Sequence, residues 1–371
     1  MRVTIDGTSL LLRSAGVKNY FYYWVQHLRR AAGDVNIGVF PMLGELGSLT
    51  HEASVWNLAA TIPRLGLLYL VNIPGNPAID WVLGRTDLFH ISNQVRNPPR
   101  TVPLTATLHD LTSVLMPEVH TAANVVADRA FFERAVAKAR RIIAVSENTR
   151  ADAVRLLGLN PDRVEVIYHG VPPEYFEIPE ASRLETARRL GLDRPYVLYV
   201  GTIEPRKNLD GLLDGWAALS AELRENFTLA VAGPVGWKAD AILARLQSAG
   251  PGVRYLGYVP ERDLPALTAG ATVFAYPSLY EGFGLPVAQA MAAGVPVVTS
   301  SVSSLPEIGG EAALLADPRS PAEIGGALAR LLESPDLRAK LGACGAQRAR
   351  AMFRWEENAR RSLEFFRRAM A

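Results

Sequence analysis

With 371 residues the chain has room for two domains of about 150 residues each, and with 20% charged against 49% hydrophobic residues it reads as an ordinary folded protein, neither disordered nor fibrous. Thirty-nine Lys and Arg against 37 Asp and Glu leave a formal net charge of +2, so no global basic field calls for nucleic acid. The single cysteine, Cys344, excludes an intrachain disulfide framework and fits a reducing compartment, and the six histidines are scattered with no zinc spacing.

The N-terminal MRVTIDGTSLLLR carries Asp6 and Arg13 within its apolar run and reads as a first strand rather than a signal peptide. No stretch approaches the ~18 uninterrupted apolar residues of a membrane span. The expected location is the cytoplasm, with a peripheral contact at the inner face of the membrane left open. Next, VKNYFYYWVQHLRRAAG is a helix on which Tyr20, Trp24 and Leu28 share one face and Phe21, Val25 and Leu28 a neighbouring one. Most of these rings belong to a core, but five consecutive aromatics exceed what one buried stripe needs, which leaves one or two for an acceptor cleft.

Short β-rich runs alternate with helical patterns from end to end. They are RVTID, NIGVF, DLFHIS, VPLTATLHD, RIIAVS and VEVIYHG, then YVLYVG, FTLAVAG, VRYLGYV, VFAYPS, VPVVTS and AALLAD. This predicts parallel sheets covered by helices on both faces. Before RIIAVS, the stretch VADRAFFERAVAKARRI carries Arg129, Arg134, Lys138, Arg140 and Arg141 around Phe131 and Phe132. A basic amphipathic helix over 125–141 could rest on an anionic leaflet, and the bland alternative is a solvated face. Between the two series, VPPEYFEIPEASR (171–183) reads as a linker. Two Rossmann-like α/β domains are therefore expected, 1–172 and 173–352, with the cleft between them as the default active site. The last segment, 353–371, is a strongly patterned helix with Trp355, Ala359, Leu363, Phe366 and Met370 near helical spacing. Its pattern leaves two placements open: capping the second domain or packing back on the first.

Two segments of the second half carry chemistry. In YVLYVGTIEPRKNLDGLLDGW, Asn208 is a good N-cap for a helix starting at Leu209, which puts Arg206 and Lys207 at the positive end of a helix, where cations are unfavourable. Something anionic is expected beside them: either Glu204 or, explaining more, a bound phosphate held by the guanidinium fork and the ammonium. In YEGFGLPVAQAMAAGVPVVTS, Pro286 suits the first turn of a helix and Gly294 its end, so the unit is strand, glycine loop, helix, strand. Glu281 then points into the ligand crevice at the carboxyl end of the sheet, and Gln289, about one turn into the helix, can reach back toward it. The competing reading is that the glycines only tighten a connection.

These two segments, together with IIAVSENTRADAVRLLG and RVEVIYHGVPPEYF, resemble the retaining GT-B glycosyltransferases of family 4, the glycosyl transferases group 1. The resemblance covers most of residues 100–300 and, more loosely, the whole chain, since MRVTIDGTSLLLRSAGVKNY is similar to the family's first strand and glycine loop. It implies that Arg206 and Lys207 hold the donor diphosphate and that Glu281, the first glutamate of an E-x7-E motif, contacts the donor sugar. It also implies that backbone NH groups of Gly282, Phe283, Gly284 and Leu285 hold sugar hydroxyls and phosphate. Gly16 is the implied N-terminal loop approaching the diphosphate, His109 a histidine near sugar and acceptor, and Gly257, Tyr258 and Val259 the base pocket. One departure stands out: the second glutamate of the motif is Gln289, so a charge-assisted bond to ribose becomes an ordinary one, a loss of roughly 1 kcal/mol.

No Asp-x-Asp occurs anywhere in the chain, so no such acidic pair is available for a divalent ion, and no metal or other cofactor is expected beyond the nucleotide diphosphate sugar as co-substrate. Leaving-group stabilisation then falls to Arg206, Lys207 and helix N-termini. Asp110 is expected to orient His109 or to cap the following turn, and His169 to be structural. The expected activity is retaining hexosyl transfer to a hydroxyl acceptor, whether saccharide, lipid-linked or small molecule. The alternatives are a phosphorylase or sucrose-synthase-like enzyme on the same fold, and a sugar-nucleotide binding protein without turnover. Replacing Arg206 by Ala is expected to lower kcat far more than folding stability.

Overall fold

The computed structural model describes every residue except 13–15, 42–44, 51–52, 93–94 and 251; Arg13 thus lies outside the described residues. The chain divides into two compact units, Met1–Gly170 with Trp355–Ala371, and Val171–Arg354.

All six strands of the first unit come from the expected runs: β1 (Arg2–Asp6), β2 (Asn36–Phe40), β3 (Leu88–Ile91), β4 (Leu104–Leu108), β5 (Arg141–Ala144) and β6 (Val164–Val166). They pair in parallel in the order β2-β1-β3-β4-β5-β6. β3 and β4 are buried at every position; β3 is apolar apart from His90, and β4 alternates apolar residues with Thr105 and Thr107, whose buried hydroxyls are satisfied by the His90 ring. At the carboxyl end of β1, Asp6 is fully buried; its Oδ2 accepts from Ser92 N at 3.2 Å and Ser92 Oγ at 2.6 Å, tying β1 to the segment after β3. Burial pushes the Asp6 carboxyl above its ordinary value despite these bonds.

Helix α1 (Gly16–Ala31) buries Tyr20, Phe21, Trp24, Val25 and Leu28 in this core, while Tyr22 and Tyr23 are only partly covered. The terminal helix, Trp355–Met370, packs on α1, which settles its two possible placements. Trp355, Leu363, Phe365 and Phe366 enter the core, the Trp24 indole donates to Ser362 Oγ at 2.9 Å, and Asn358 Nδ2 donates to Tyr168 O.

Two expectations are corrected. The basic stretch 125–141 is not one helix: the helix Ala122–Arg134 stops, Val136–Lys138 is a 3-10 turn, and Arg141 opens β5. Phe131 and Phe132 are consumed by the core, and Arg129 pairs with Glu133 at 2.8 Å, so the charges do not share one face opposite an exposed apolar stripe. The segment 171–183 is likewise no loose linker. Val171 bridges to Arg354, Pro173–Tyr175 forms a 3-10 turn that buries Tyr175, and the helix Glu180–Arg189 begins within it.

The second unit holds β7 (Tyr196–Val200), β8 (Thr228–Ala232), β9 (Val253–Gly257), β10 (Val273–Tyr276), β11 (Val297–Ser300) and β12 (Ala313–Ala316). They too are parallel, in the order β12-β11-β10-β7-β8-β9. The order reverses between β7 and β10. In an open parallel sheet that is the place where the loops after neighbouring strands part to leave a crevice.

Candidate active site

The loops that follow β7 and β10 carry the two chemical segments, so the reversal of strand order places them side by side. After β7 the chain forms a 3-10 turn, Pro205–Lys207, and Asn208 takes the left-handed conformation (φ 56°) before the helix Leu209–Ala217. Asn208 therefore marks the helix start as expected but does not cap it with its side chain. Its Nδ2 donates instead to Pro277 O at 2.9 Å and Pro318 O at 2.6 Å, and Leu279 N donates to Arg206 O at 2.9 Å. The two loops are thereby stitched together by backbone and amide bonds.

Within that frame Glu281 is buried, at 7% exposure, between both cations. Lys207 Nζ donates to its Oε1 at 2.7 Å, and Arg206 Nη1 stands 3.1 Å from its Oε2. Ser278 Oγ donates to the same Oε1 at 2.7 Å, and so does Tyr276 OH at 3.1 Å. The rest of the Arg206 fork is placed by Glu204 Oε1, at 2.8 Å from Nη2, and by Tyr280 O, at 2.8 Å from Nη1. Burial by itself would raise the pKa of Glu281; the charges of Arg206 and Lys207, with the bonds from Lys207 and Ser278, outweigh it and hold the carboxyl at about 2. Lys207 shifts down, first through burial and then through Arg206, against the pull of Glu281 and Glu204. Two half-buried cations and two buried carboxylates thus share a site with balanced charge, and the alternative that Glu204 offsets part of the positive charge is met for Arg206.

The glycine loop leads directly into the helix Leu285–Ala292. Gly284 stands at φ 95°, and a Cβ there would come within 2.5 Å of Leu305, so a side chain would be strained twice over. Pro286 occupies the first turn and Gly294 (φ 74°) lies just past the end, as expected. Ser304 Oγ donates to Glu281 O and Phe283 O, both at 2.9 Å, and Glu281 N donates to Ser303 Oγ at 3.1 Å. Phe283 turns its ring inward against Phe353, centroids 5.6 Å apart. Gly282 and Leu285 flank these anchors, and Gln289, on the fifth residue of the helix, is buried at 9% exposure. Gly257 ends β9 at φ 68° and accepts from Gly233 N at 2.8 Å; Tyr258 is half-buried and Val259 buried. This places Gly257, Tyr258 and Val259 at the same carboxyl edge, two strands from β7.

The remaining candidates belong to the first unit. Gly16 is exposed at the start of α1, with open space where a Cβ would stand. Two residues on, the buried Lys18 donates from Nζ to Leu12 O at 3.1 Å and to Ala53 O, and burial brings its ammonium down to about 8. His109 follows β4 and packs against Tyr20 (4.9 Å between centroids), Phe21 (6.0 Å) and His169 (5.7 Å). Burial lowers its pKa to about 4 against the pull of Asp110, so at neutral pH the imidazole is uncharged. Asp110 caps the following turn, accepting from Thr112 N at 3.0 Å and Thr112 Oγ1 at 2.6 Å.

The sequence reading passed over Tyr276, Ser278, Ser303 and Ser304. Tyr276 and Ser278 close the run VFAYPS, and polar atoms at the end of a buried strand were the available signal; the two serines lie in the loop after β11, whose neighbourhood only the strand order reveals.

Residues 183–348 match the family described as glycosyl transferases group 1, and residues 14–175 the one described as Glycosyltransferase Family 4. The O-antigen chain mannosyltransferase B of Escherichia coli is 37% identical over 263 residues, which span 70% of this chain and 68% of that protein. The chain belongs to glycosyltransferase family 4. As a family 4 glycosyltransferase it transfers a sugar, and its two parallel sheets are those of the GT-B fold. Among solved structures, sucrose-phosphate synthase from Thermosynechococcus elongatus superposes with a TM-score of 0.76 at 20% identity, covering 99% of this chain and 98% of that one. HepE from Anabaena, solved with UDP-glucose, gives 0.74 at 18% identity, with 99% of both chains covered. Among the described residues of this glycosyltransferase no group of three or more His, Cys, Asp or Glu could hold a metal ion, and no helix is long and apolar enough to cross a membrane.

Proposed function

We propose that the protein is a metal-independent, retaining hexosyltransferase that moves a sugar from a nucleotide diphosphate donor to a hydroxyl acceptor. The observation that carries this reading is the quartet of half-buried Arg206 and Lys207 with buried Glu204 and Glu281 at the reversal point of the second sheet. A departing diphosphate gains charge as the glycosidic bond breaks, and fixed cations in a dry site stabilise it without reorganising. Lys207 has three donors and can keep one on Glu281 while turning another to phosphate.

Glu281 is the sugar clamp in this reading. A carboxyl held at about 2 stays ionised near neutral pH and cannot act as a general acid, and its oxygens already accept from Lys207, Ser278 and Tyr276, which makes it a poor nucleophile. It remains an acceptor for sugar hydroxyls. The backbone of Gly282, Phe283, Gly284 and Leu285 adds donors, Gln289 accepts from the ribose, and Gly257, Tyr258 and Val259 face the base. The second unit is thus the donor half and the first, which carries Gly16 and the neutral His109, the acceptor half.

With Glu281 already engaged by Lys207, Arg206, Ser278 and Tyr276, a same-face course is the one proposed for retention. The acceptor oxygen forms a bond to the anomeric carbon from the side the diphosphate leaves, the glycosidic C–O bond breaks, and a diphosphate oxygen takes the acceptor proton. The name of the 37% identical relative supports mannose as the hexose and a growing saccharide as the acceptor. The test is incubation with a panel of sugar nucleotides, with and without chelator, following nucleoside diphosphate release and the anomeric configuration of the product. Release from one donor that survives chelator, with retained configuration, is expected. Loss of transfer in chelator overturns the metal-independent mechanism, and a thermal shift with no release or transfer points to a binding protein instead.

A further inference from the structure

In the first unit, between β2 and β3, two helices turn apolar side chains to solvent. Helix α2 (Leu58–Val71) reads LAATIPRLGLLYLV, and α3 (Ala78–Leu83) reads AIDWVL. Their inner sides are accounted for: Val71, Ile79 and Leu83 are buried in the core, with Leu67 and Leu68 packed against it. The outer side is not. Leu58, Ile62, Leu65 and Tyr69 follow one another at steps of three or four residues, the spacing of one helical face, with Ile73 in the turn just past the helix, and all are exposed, as is Trp81 on α3. Tyr69 at 77% and Trp81 at 84% exposure are the extreme cases. Scattered apolar residues on a surface need no explanation, but a continuous stripe that ends in two bare aromatics does.

Charge decides what fits the stripe. Residues 53–79 contain no Asp or Glu. The next carboxylate, Asp80, is turned to its own loop, where Oδ1 accepts from Arg100 N at 2.9 Å, Thr101 N at 3.1 Å and Thr101 Oγ1 at 2.7 Å. Cations stand at the same end instead. Arg96 is fixed by its backbone NH to Asn72 Oδ1, at 2.8 Å, where α2 ends; Arg100 is fixed to Asp80, next to Trp81; Arg85 follows α3 by two residues. All three have exposed side chains.

We propose that the outer face of α2 and α3 docks on the surface of an anionic lipid bilayer. Leu58, Ile62, Leu65 and Ile73 would enter the acyl boundary, Tyr69 and Trp81 would sit at headgroup depth where amphipathic rings are favoured, and Arg85, Arg96 and Arg100 would face the lipid phosphates. A second copy of the chain fits less well, because a two-fold contact buries the same patch on both sides and offers its three arginines only the exposed Asp87, whose Oδ2 already accepts from Arg2 N at 2.7 Å. The contact is peripheral, since no described helix is long and apolar enough to cross a membrane.

The test uses the full chain and sedimentation with vesicles of phosphatidylcholine alone or with about one-third phosphatidylglycerol. Binding to the anionic vesicles is expected, weakened by high salt and weaker on the neutral ones. The triple variant Ile62→Ser, Tyr69→Ser, Trp81→Ser is expected to bind about tenfold or more weakly, and Arg96→Glu with Arg100→Glu to lose the preference for anionic lipid. All five side chains are exposed, so the melting temperature checks that folding is kept. Brominated lipid is expected to quench tryptophan emission in the wild type and to quench it less in Trp81→Phe, a variant that keeps the apolar surface. Wild type left in the supernatant with anionic vesicles, or equal binding by the triple variant, overturns the proposal. So does a dimer, seen by light scattering without lipid, that the triple variant dissociates while the wild type ignores vesicles.

Discussion

Lys207 Nζ donates to Glu281 Oε1 across 2.7 Å although 74 positions separate the two residues, and the Arg206 guanidinium closes on the other oxygen of the same carboxylate at 3.1 Å. Removing either side leaves like charges buried together. Glu281→Gln leaves Arg206 and Lys207 with Glu204 alone, and a loss of about 3 kcal/mol in unfolding free energy is expected from urea denaturation, alongside lost turnover.

Arg206→Ala is read differently now than from the sequence alone. Arg206 is not a cation waiting at a helix end; it separates Glu204 from Glu281, and its loss leaves two buried carboxylates facing one ammonium. Stability is expected to fall by about 3 kcal/mol and kcat by about a hundredfold. Arg206→Lys separates the two effects: it returns a positive charge but not the fork, so stability should recover more than kcat. Full turnover in Arg206→Ala, measured as diphosphate release, would remove the leaving-group role.

Gln289→Glu restores a charged acceptor on the helix Leu285–Ala292. Nucleotide affinity by calorimetry is expected to tighten about fivefold, the worth of converting an ordinary hydrogen bond to a charge-assisted one. Unchanged or weaker affinity counts against a ribose contact at this position.

Acid should unsettle the first unit before the second. Burial holds His109 at about 4 and His90 at about 3, and lowers His169 well below its ordinary value of 6.5. His90 keeps both ring nitrogens on threonine hydroxyls, Thr105 and Thr107, at 2.9 Å. Below pH 6.5 the unfolded chain takes up protons that these folded imidazoles refuse, so stability present at pH 7 is lost as pH falls toward 4. Each histidine contributes up to about 1.4 kcal/mol per pH unit in that window. Glu281, depressed from 4.5 to about 2, adds stability above 4.5 that is lost only as pH falls from there through 2. Melting temperatures recorded from pH 7.5 to 4 should decline, and less steeply in His109→Gln; a flat profile from pH 7 to 5 contradicts buried neutral histidines.

The terminal helix should behave as core rather than as an appendage. Phe366 is fully buried against Trp24, at 6.0 Å between ring centroids, and Phe366→Ala is expected to cost about 4 kcal/mol. Arg360, whose partners Glu357 and Glu364 share its exposed face, should tolerate Ala with no measurable change in the urea midpoint.

The strands were legible because each is a short run rich in apolar and β-branched residues set between helical patterns, even where Thr105 and Thr107 in β4 or Arg254 in β9 interrupt it. Lys207 and Glu281 were legible as residues but not as a pair. Their meeting depends on β7 lying beside β10, and that order is set by packing over the whole sheet rather than by any local pattern. The same limit hid Tyr276 and Ser278, whose hydroxyls look like strand-end filler until the carboxylate is in place. The basic stretch 125–141 misled for a physical reason: Phe131 and Phe132 satisfy a core that the sequence alone cannot locate, and the backbone breaks at Ala135 to start a strand. The exposed stripe on α2 is a different case, since the sequence reading passed over residues 58–71 altogether.

The polypeptide leaves the first unit at Gly170 and re-enters it at Trp355. During synthesis, Tyr20 and Trp24 must therefore wait for a covering that emerges from the ribosome more than three hundred residues later, while the entire second unit has meanwhile been completed. Maturation of this enzyme runs inside out along its gene: the portion translated first is the last to close.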